Sequence, residues 1–242
     1  MAGLKRAGFI FDFDDTLVYS HEQFVLAEEA FVARMKVLGL YDEELLSAAR
    51  ARDISNVHKA GYMAAECFPL ALVQTYESYC SKYNRPPDEY EKRLLFLLGQ
   101  QPYTNRPRIM EGARDLLKHL RIKYGGNRLM ILFTQGEQEI QEQRLIHSGF
   151  VNIFDVIKIV RQKNDAELQA LLQEQQLEPA LTWNVGNSLR ADINPAIRAG
   201  LNAVHLTTAG WSYENEEPCG VFHSIGHLWQ FVDLLLHREA AL

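Results

Sequence analysis

Three aspartates stand where the first apolar run of the chain ends. Phe9 to Phe11 reads as a buried strand, and it stops abruptly at Asp12; Asp14, Asp15, Thr16 and Leu17 follow. Acidic side chains at such a place need a reason to be there. In an α/β protein the reason is a cation or a reacting group held in the crevice at the carboxyl ends of a parallel sheet. The plain alternative is a solvated acidic turn.

Three later stretches offer groups that would suit the same crevice. In Leu132-Phe133-Thr134-Gln135-Gly136 a strand ends in a hydroxyl residue and Gly136 opens a turn before a helix. A hydroxyl and an N–H at a helix N-terminus suit a phosphate oxygen, although Thr134 could equally be an ordinary N-cap. Lys163 lies just past another strand, before a helix that Asn164 or Asp165 could cap. There it could neutralise carboxylates and a phosphate as a point charge; a solvated surface lysine is the other reading. Lys158, inside the strand pattern, is the weaker rival. The last stretch runs from Trp183 to Ala196, with Gly186 allowing a sharp turn. Oxygens of Asn187 and Asp192 would suit a hard cation such as Mg²⁺. Alternatively, Asp192 caps a helix and Asn187 occupies a left-handed turn.

These residues need a frame that brings strand ends together. Beyond the first strand, apolar runs at Leu129–Phe133, Val156–Val160, Leu181–Val185 and Ala203–Leu206 read as strands. Helical stretches at 112–123, 137–148, 165–175 and 193–199 lie between them. Alternation of this kind predicts parallel βαβ units, with right-handed crossovers placing helices on both faces. Residues 226–238 predict a last amphipathic helix. From about Ser20 to Arg106 no strand is evident. Phe24, Phe31, Met35 and Leu38 share one helical face, as do Leu72, Tyr76, Tyr79 and Tyr83, and Leu94–Leu98 begins a further short helix. The expected organisation is an α/β core over 1–19 and 103–242, interrupted at 20–102 by a helical module of about four helices. Gln100 to Pro107 serves as the return linker.

The four motifs in this order resemble those of the haloacid dehalogenase (HAD) superfamily. Asp12-Phe13-Asp14-Asp15-Thr16-Leu17 matches the first motif, Thr134 the second, Lys163 the third, and Gly186-Asn187 with Asp192 the fourth. The insertion between the first two resembles the subgroup with a helical cap, which includes haloacid dehalogenases, phosphoglycolate phosphatases and β-phosphoglucomutases. The resemblance implies a Rossmann-like parallel sheet with helices on both faces. It implies Asp12 as a nucleophile forming an aspartyl-phosphate, and Asp14 as the acid that protonates the leaving alcohol and the base that later activates water. Mg²⁺ would be held by Asp12, the Asp14 backbone carbonyl and Asn187 or Asp192. Thr134, with the N–H groups of Phe13 and Gln135, would bind the transferring phosphoryl group, and Lys163 would complete the charge balance. Asp15, grouped with this phosphate-binding loop, has no chemistry of its own and is expected to face the cap or solvent. The family's dehalogenases lack the second aspartate, because halide leaves without a proton, so Asp14 favours phosphoryl chemistry. One departure stands out: the fourth motif usually begins Gly-Asp, and here it is Gly186-Asn187, one negative charge fewer.

Composition narrows the partners. The chain has 242 residues, 47% hydrophobic and 23% charged, with a net charge of −6. No basic stripe suggests nucleic acid, and no apolar stretch approaches the roughly 18–20 residues of a membrane span. Three cysteines without a Cys-x-x-Cys spacing suggest neither a disulfide framework nor a zinc site. A cytoplasmic, Mg²⁺-dependent phosphatase of a small phosphorylated metabolite is expected, with no sign of its oligomeric state. A phosphomutase or phosphotransferase using the same motifs is the alternative among enzymes, and a binding or regulatory protein on a degenerate scaffold the alternative outside them. In the module, Tyr19, Ser20 and His21 and the cluster Arg50, Arg52, Asn56, His58 and Lys59 are candidate substrate contacts or solvated helix faces.

Overall fold

A computed structural model describes residues 6–207 and 216–240. The chain divides into two compact units: Met1–Tyr19 with Pro107–Leu242, and Ser20–Arg106. The second boundary falls at 106/107 rather than 102/103.

In the first unit, β1 (Ala7–Phe11) leads into the short β2 (Val18–Tyr19), which pairs antiparallel with β3 (Arg108–Ile109). The two chain segments that flank the inserted unit are thereby tied together. After β3 come α5 (Ala113–Tyr124), β4 (Arg128–Gln135), α6 (Gln138–Ser148), β5 (Val156–Val160), α7 (Asp165–Glu174), β6 (Trp183–Gly186), α8 (Asn194–Arg198), β7 (Asn202–Leu206), β8 (His223–Ile225) and α9 (Gln230–Ala240). The large sheet is parallel, in the order β5-β4-β1-β6-β7-β8. β1 is central, paired with β4 on one side and β6 on the other. The chain adds β5 outward from β4 and then returns across β1 to start β6. That reversal creates the crevice at the strand ends where ligands of open α/β sheets bind.

Alternation along β1 builds two cores. Phe9 and Phe11 pack with Leu116, Leu120, Phe231 and Leu235 of α5 and α9. Ile10 faces the other way, with Leu168 and Leu171 of α7 and Ala196 of α8. All of these side chains are buried. Strands covered on both faces read as continuous apolar runs, which is why the sequence shows them. Leu181 is the exception: it closes a 3₁₀ turn begun at Pro179 and is exposed, so the strand starts at Trp183.

The second unit holds four helices: α1 (His21–Val37), α2 (Leu45–Ala60), α3 (Cys67–Lys82) and α4 (Glu89–Thr104). Phe31, Met35, Leu72, Tyr76, Tyr79 and Leu95 form its core; Tyr83, expected on that face, is exposed. The expected linker at 100–107 is mostly helix, because α4 continues through Pro102 to Thr104. Proline removes one backbone hydrogen bond, but Pro102 itself is buried, and packing rather than propensity sustains the helix past it. At Gly99 an added Cβ would lie 2.5 Å from the Pro69 Cα, so α3 and α4 approach through a residue that has none.

Candidate active site

Four strand ends bring the candidate residues together. Asp12 is the first residue past β1, and its N–H still donates to the Val185 carbonyl at 3.0 Å. Thr134 and Gln135 close β4, Lys163 follows β5, and Asn187 follows β6. Lys163 is buried, with its Nζ donating to Asp12 Oδ1 at 2.5 Å and to Asp192 Oδ1 at 2.6 Å. The surface-lysine reading is therefore excluded. Lys158 instead pairs with Glu174 at 3.1 Å on an exposed face.

The Asp192 carboxylate is occupied at both ends. Its Oδ2 accepts from the Ser188 N–H at 3.1 Å, and Oδ1 faces Lys163. It lies in a single π-helical turn, Leu189–Ile193, whose N-cap is Ser188, accepting from the Ala191 N–H at 2.9 Å. Asp192 is thus not the cap. Gly186 makes room for it: a Cβ there would lie 2.4 Å from Asp192 Oδ2. Asn187 is not left-handed either, since the positive-φ residues other than glycine among those described are Asp15, Asn84 and Gln176. Its backbone carbonyl lies 2.9 Å from His205 Nε2.

Thr16, part of the first motif but given no role in the sequence reading, joins the two sides. Its hydroxyl lies 3.0 Å from Asp12 Oδ2 and 3.4 Å from Asn187 Oδ1. The loop carrying it is pinned by Phe13, fully buried, whose carbonyl accepts from the N–H groups of Leu17 and Val18 at 2.8 and 3.1 Å. Of the two surroundings expected for Asp15, cap or solvent, the solvent one fails. Asp15 is 4% exposed, with φ 55°, and its N–H donates to the Val18 carbonyl. Aspartate tolerates this left-handed geometry better than most residues.

Asp14 and Thr134 meet through α6. Arg144 Nη1 lies 2.6 Å from Asp14 Oδ1, and Gln141 Nε2 lies 2.7 Å from Asp14 Oδ2 and 2.9 Å from Thr134 Oγ1. Thr134 is inside β4, and the N-cap position of α6 is Glu137, so the capping reading fails. Gln135 Oε1 accepts from the Lys163 N–H at 3.3 Å, tying the second motif to the third. Neither Gln141 nor Arg144 was singled out from sequence. The available signal was a pair of polar residues on the α6 face that also carries the buried Leu145 and Ser148.

Two buried carboxylates share one lysine, so the trio is one positive charge short. Burial pushes Asp12 up, to about 7; the Lys163 charge acts against this, while Asp192 and Asp14 add to it. Burial works to lower Lys163, but Asp12 and Asp192 outweigh it and raise its pKa. A proton on Asp12 or a bound cation would relieve the deficit. No three His, Cys, Asp or Glu side chains gather as a metal site among the described residues. A cation here would therefore need mixed oxygen donors. Asp12 Oδ2 and Asn187 Oδ1 converge on the same hydroxyl, and oxygen donors fit Mg²⁺. Asn187 suits the role better than Asp192, whose oxygens are committed to Lys163 and Ser188.

Fold and site together define an α/β protein with a carboxylate cluster at the end of its central strand and an inserted helical unit. A family model described as haloacid dehalogenase-like hydrolase matches residues 7–200; the chain belongs to this family. Among solved structures, one similar fold is a haloacid dehalogenase-like family hydrolase from Xanthomonas campestris, 21% identical, covering 98% of this chain and 99% of that one with a TM-score of 0.73. L-2-haloacid dehalogenase from Xanthobacter autotrophicus is 14% identical over 96% and 98% of the two chains, TM-score 0.63. A predicted phosphoglycolate phosphatase from Haemophilus somnus is 18% identical over 98% and 100%, TM-score 0.58. At these identities the likeness is one of fold. No curated protein matches the chain in sequence.

Proposed function

We propose that this chain is a Mg²⁺-dependent phosphoric monoester hydrolase acting on a small phosphorylated metabolite through an aspartyl-phosphate on Asp12. The observation that carries the reading is Asp14. A second carboxylate, 28% exposed, is held by Arg144 and Gln141 next to Thr134. Displacing halide requires no such proton donor; expelling an alcohol does.

In this reading Asp12 attacks phosphorus, and the bond to the leaving oxygen breaks as Asp14 delivers its proton. Asp14 then takes a proton from the water that attacks the phosphorus of the acyl phosphate, releasing phosphate and restoring Asp12. Thr134 and the N–H groups of Phe13 and Gln135 hold the transferring oxygens, and Lys163 offsets charge on Asp12. Asp12, Asn187 and the Asp14 carbonyl would hold Mg²⁺, which would shield the repulsion between carboxylate and phosphate. A cytoplasmic setting belongs to the same proposal, in line with three cysteines that form no disulfide.

The test is a panel of phosphate monoesters and 2-haloacids, with and without Mg²⁺, on the protein and on Asp12→Asn. Metal-dependent phosphate release abolished by the substitution is expected. Halide release instead, transfer to an added sugar without free phosphate, or ligand binding without turnover would each replace this reading with another.

A further inference from the structure

We propose that Gln141 and Arg144 are positioning residues for Asp14, coupling it to the Thr134 hydroxyl through one side-chain amide. The proposal rests on the phosphatase reading above, in which Asp14 moves the proton and Thr134 binds the phosphoryl group.

Burying a glutamine and an arginine costs desolvation unless their polar groups are satisfied. Gln141 is 2% exposed and Arg144 7%. Their partners are therefore informative. Arg144 Nη1 donates to Asp14 Oδ1 at 2.6 Å and to Gln141 Oε1 at 2.8 Å. A guanidinium has no acceptor, so the atom it meets on Gln141 must be the amide oxygen. That contact fixes which way the amide faces. Its NH₂ then points at Asp14 Oδ2 at 2.7 Å, Thr134 Oγ1 at 2.9 Å and the Gln135 carbonyl at 3.0 Å.

Two consequences follow from counting protons. An NH₂ carries two protons and here meets three acceptors, so Asp14 and Thr134 compete for one group. Thr134 accepts from Gln141, which leaves its own hydroxyl proton to donate, as a phosphate oxygen requires. Meanwhile both Asp14 oxygens are held, Oδ1 by Arg144 and Oδ2 by Gln141. The guanidinium also lies 5.5 Å from the ring of buried Phe13, which limits its movement. A proton-transfer group fixed at two points is held for reaction rather than left to find its geometry.

A salt bridge that only stabilised the fold would slow every substrate alike, whereas loss of acid positioning depends on the leaving group. The experiment measures, by rapid quench in Mg²⁺, the single-turnover transfer of phosphate from an alkyl phosphate and from 2,4-dinitrophenyl phosphate. The second leaves without a proton. Arg144→Met is expected to slow transfer from the alkyl ester about 100-fold while changing the dinitrophenolate burst less than about threefold. Gln141→Leu should show a smaller split of the same kind, and Arg144→Lys should restore part of the alkyl rate. Should Arg144→Met fail to fold, Gln141→Leu carries the test. Equal loss with both esters, or no loss, overturns the proposal. If the unaltered protein hydrolyses neither ester, the phosphatase reading fails. Crystal structures of the protein and of Arg144→Met then decide the positioning claim: a displaced Asp14 carboxylate supports it, an unmoved one overturns it.

Discussion

Each unit of this molecule contains two neighbouring carboxylates and a cation that pairs with at least one of them, and the two clusters distribute that cation differently. In the core unit Lys163 divides itself between Asp12 and Asp192. In the helical unit Arg50 donates from Nε and from Nη2 to Glu28, at 2.8 and 2.6 Å. Asp53, one turn further along α2, is left in the field of Glu28; burial and that charge raise it to about 6. Both clusters therefore hold one carboxylate well above its ordinary range. A raised carboxylate beside a salt-bridged neighbour is thus not by itself a sign of catalysis. What separates the core trio is convergence: the loop after β1 and the ends of β4 and β6 gather Thr16, Asp14, Thr134 and Asn187 around it.

Breaking the core trio at its centre should have the largest effect. Asp12→Asn is expected to lower phosphatase turnover at least about a thousandfold, measured as phosphate release. Lys163→Met leaves two buried carboxylates without a cation and should cost about 3 kcal/mol of stability in chemical denaturation. The helical-unit cluster should respond with the opposite sign. Because the Asp53 pKa is raised from 3.8 to about 6, the folded state favours its protonated form. The stability this contributes is complete below about 3.8 and is lost as pH rises through about 6. Asp53→Asn should therefore leave stability unchanged at low pH and add about 1–2 kcal/mol near neutrality, after discounting for partial exposure. Thermal melts across pH would show this as a melting-point gain that grows with pH. Asn187→Asp restores a charge at the proposed metal ligand and should tighten Mg²⁺ about tenfold by calorimetric titration; unchanged or weaker binding would count against Asn187 as a ligand. Arg50→Met should cost least, about 1 kcal/mol or below, because the arginine is half exposed. A loss as large as that of Lys163→Met would erase the distinction between the clusters.

Much of this arrangement was legible in the sequence, for physical reasons. Strands covered on both faces show as unbroken apolar runs, and Asp12, Thr134, Lys163 and Asn187 stand where such runs stop. β8 was not legible: of His223, Ser224 and Ile225 only Ile225 is buried, so an edge strand leaves no pattern. Pro102 suggested a linker, but tertiary packing carries α4 past it. Gln141 and Arg144 do not stand out in the sequence, because polarity shows where a side chain is costly to bury but not where a partner is waiting. In the candidate cluster of the helical unit, two members are engaged inside the unit. Arg50 is committed to Glu28, and Asn56 Nδ2 to the Cys67 carbonyl and Gln74 at 3.1 and 3.2 Å. Nothing in the sequence announces such pairings, because they join helices distant along the chain.

The central claim is that Asp12 carries the phosphoryl group. Rapid quenching during turnover of a phosphate monoester, borohydride reduction of the acyl phosphate and peptide mass spectrometry test it directly. Reduction confined to Asp12, and absent without substrate, is the predicted result. Turnover with no reducible aspartate, or with the label on any other residue, would contradict it.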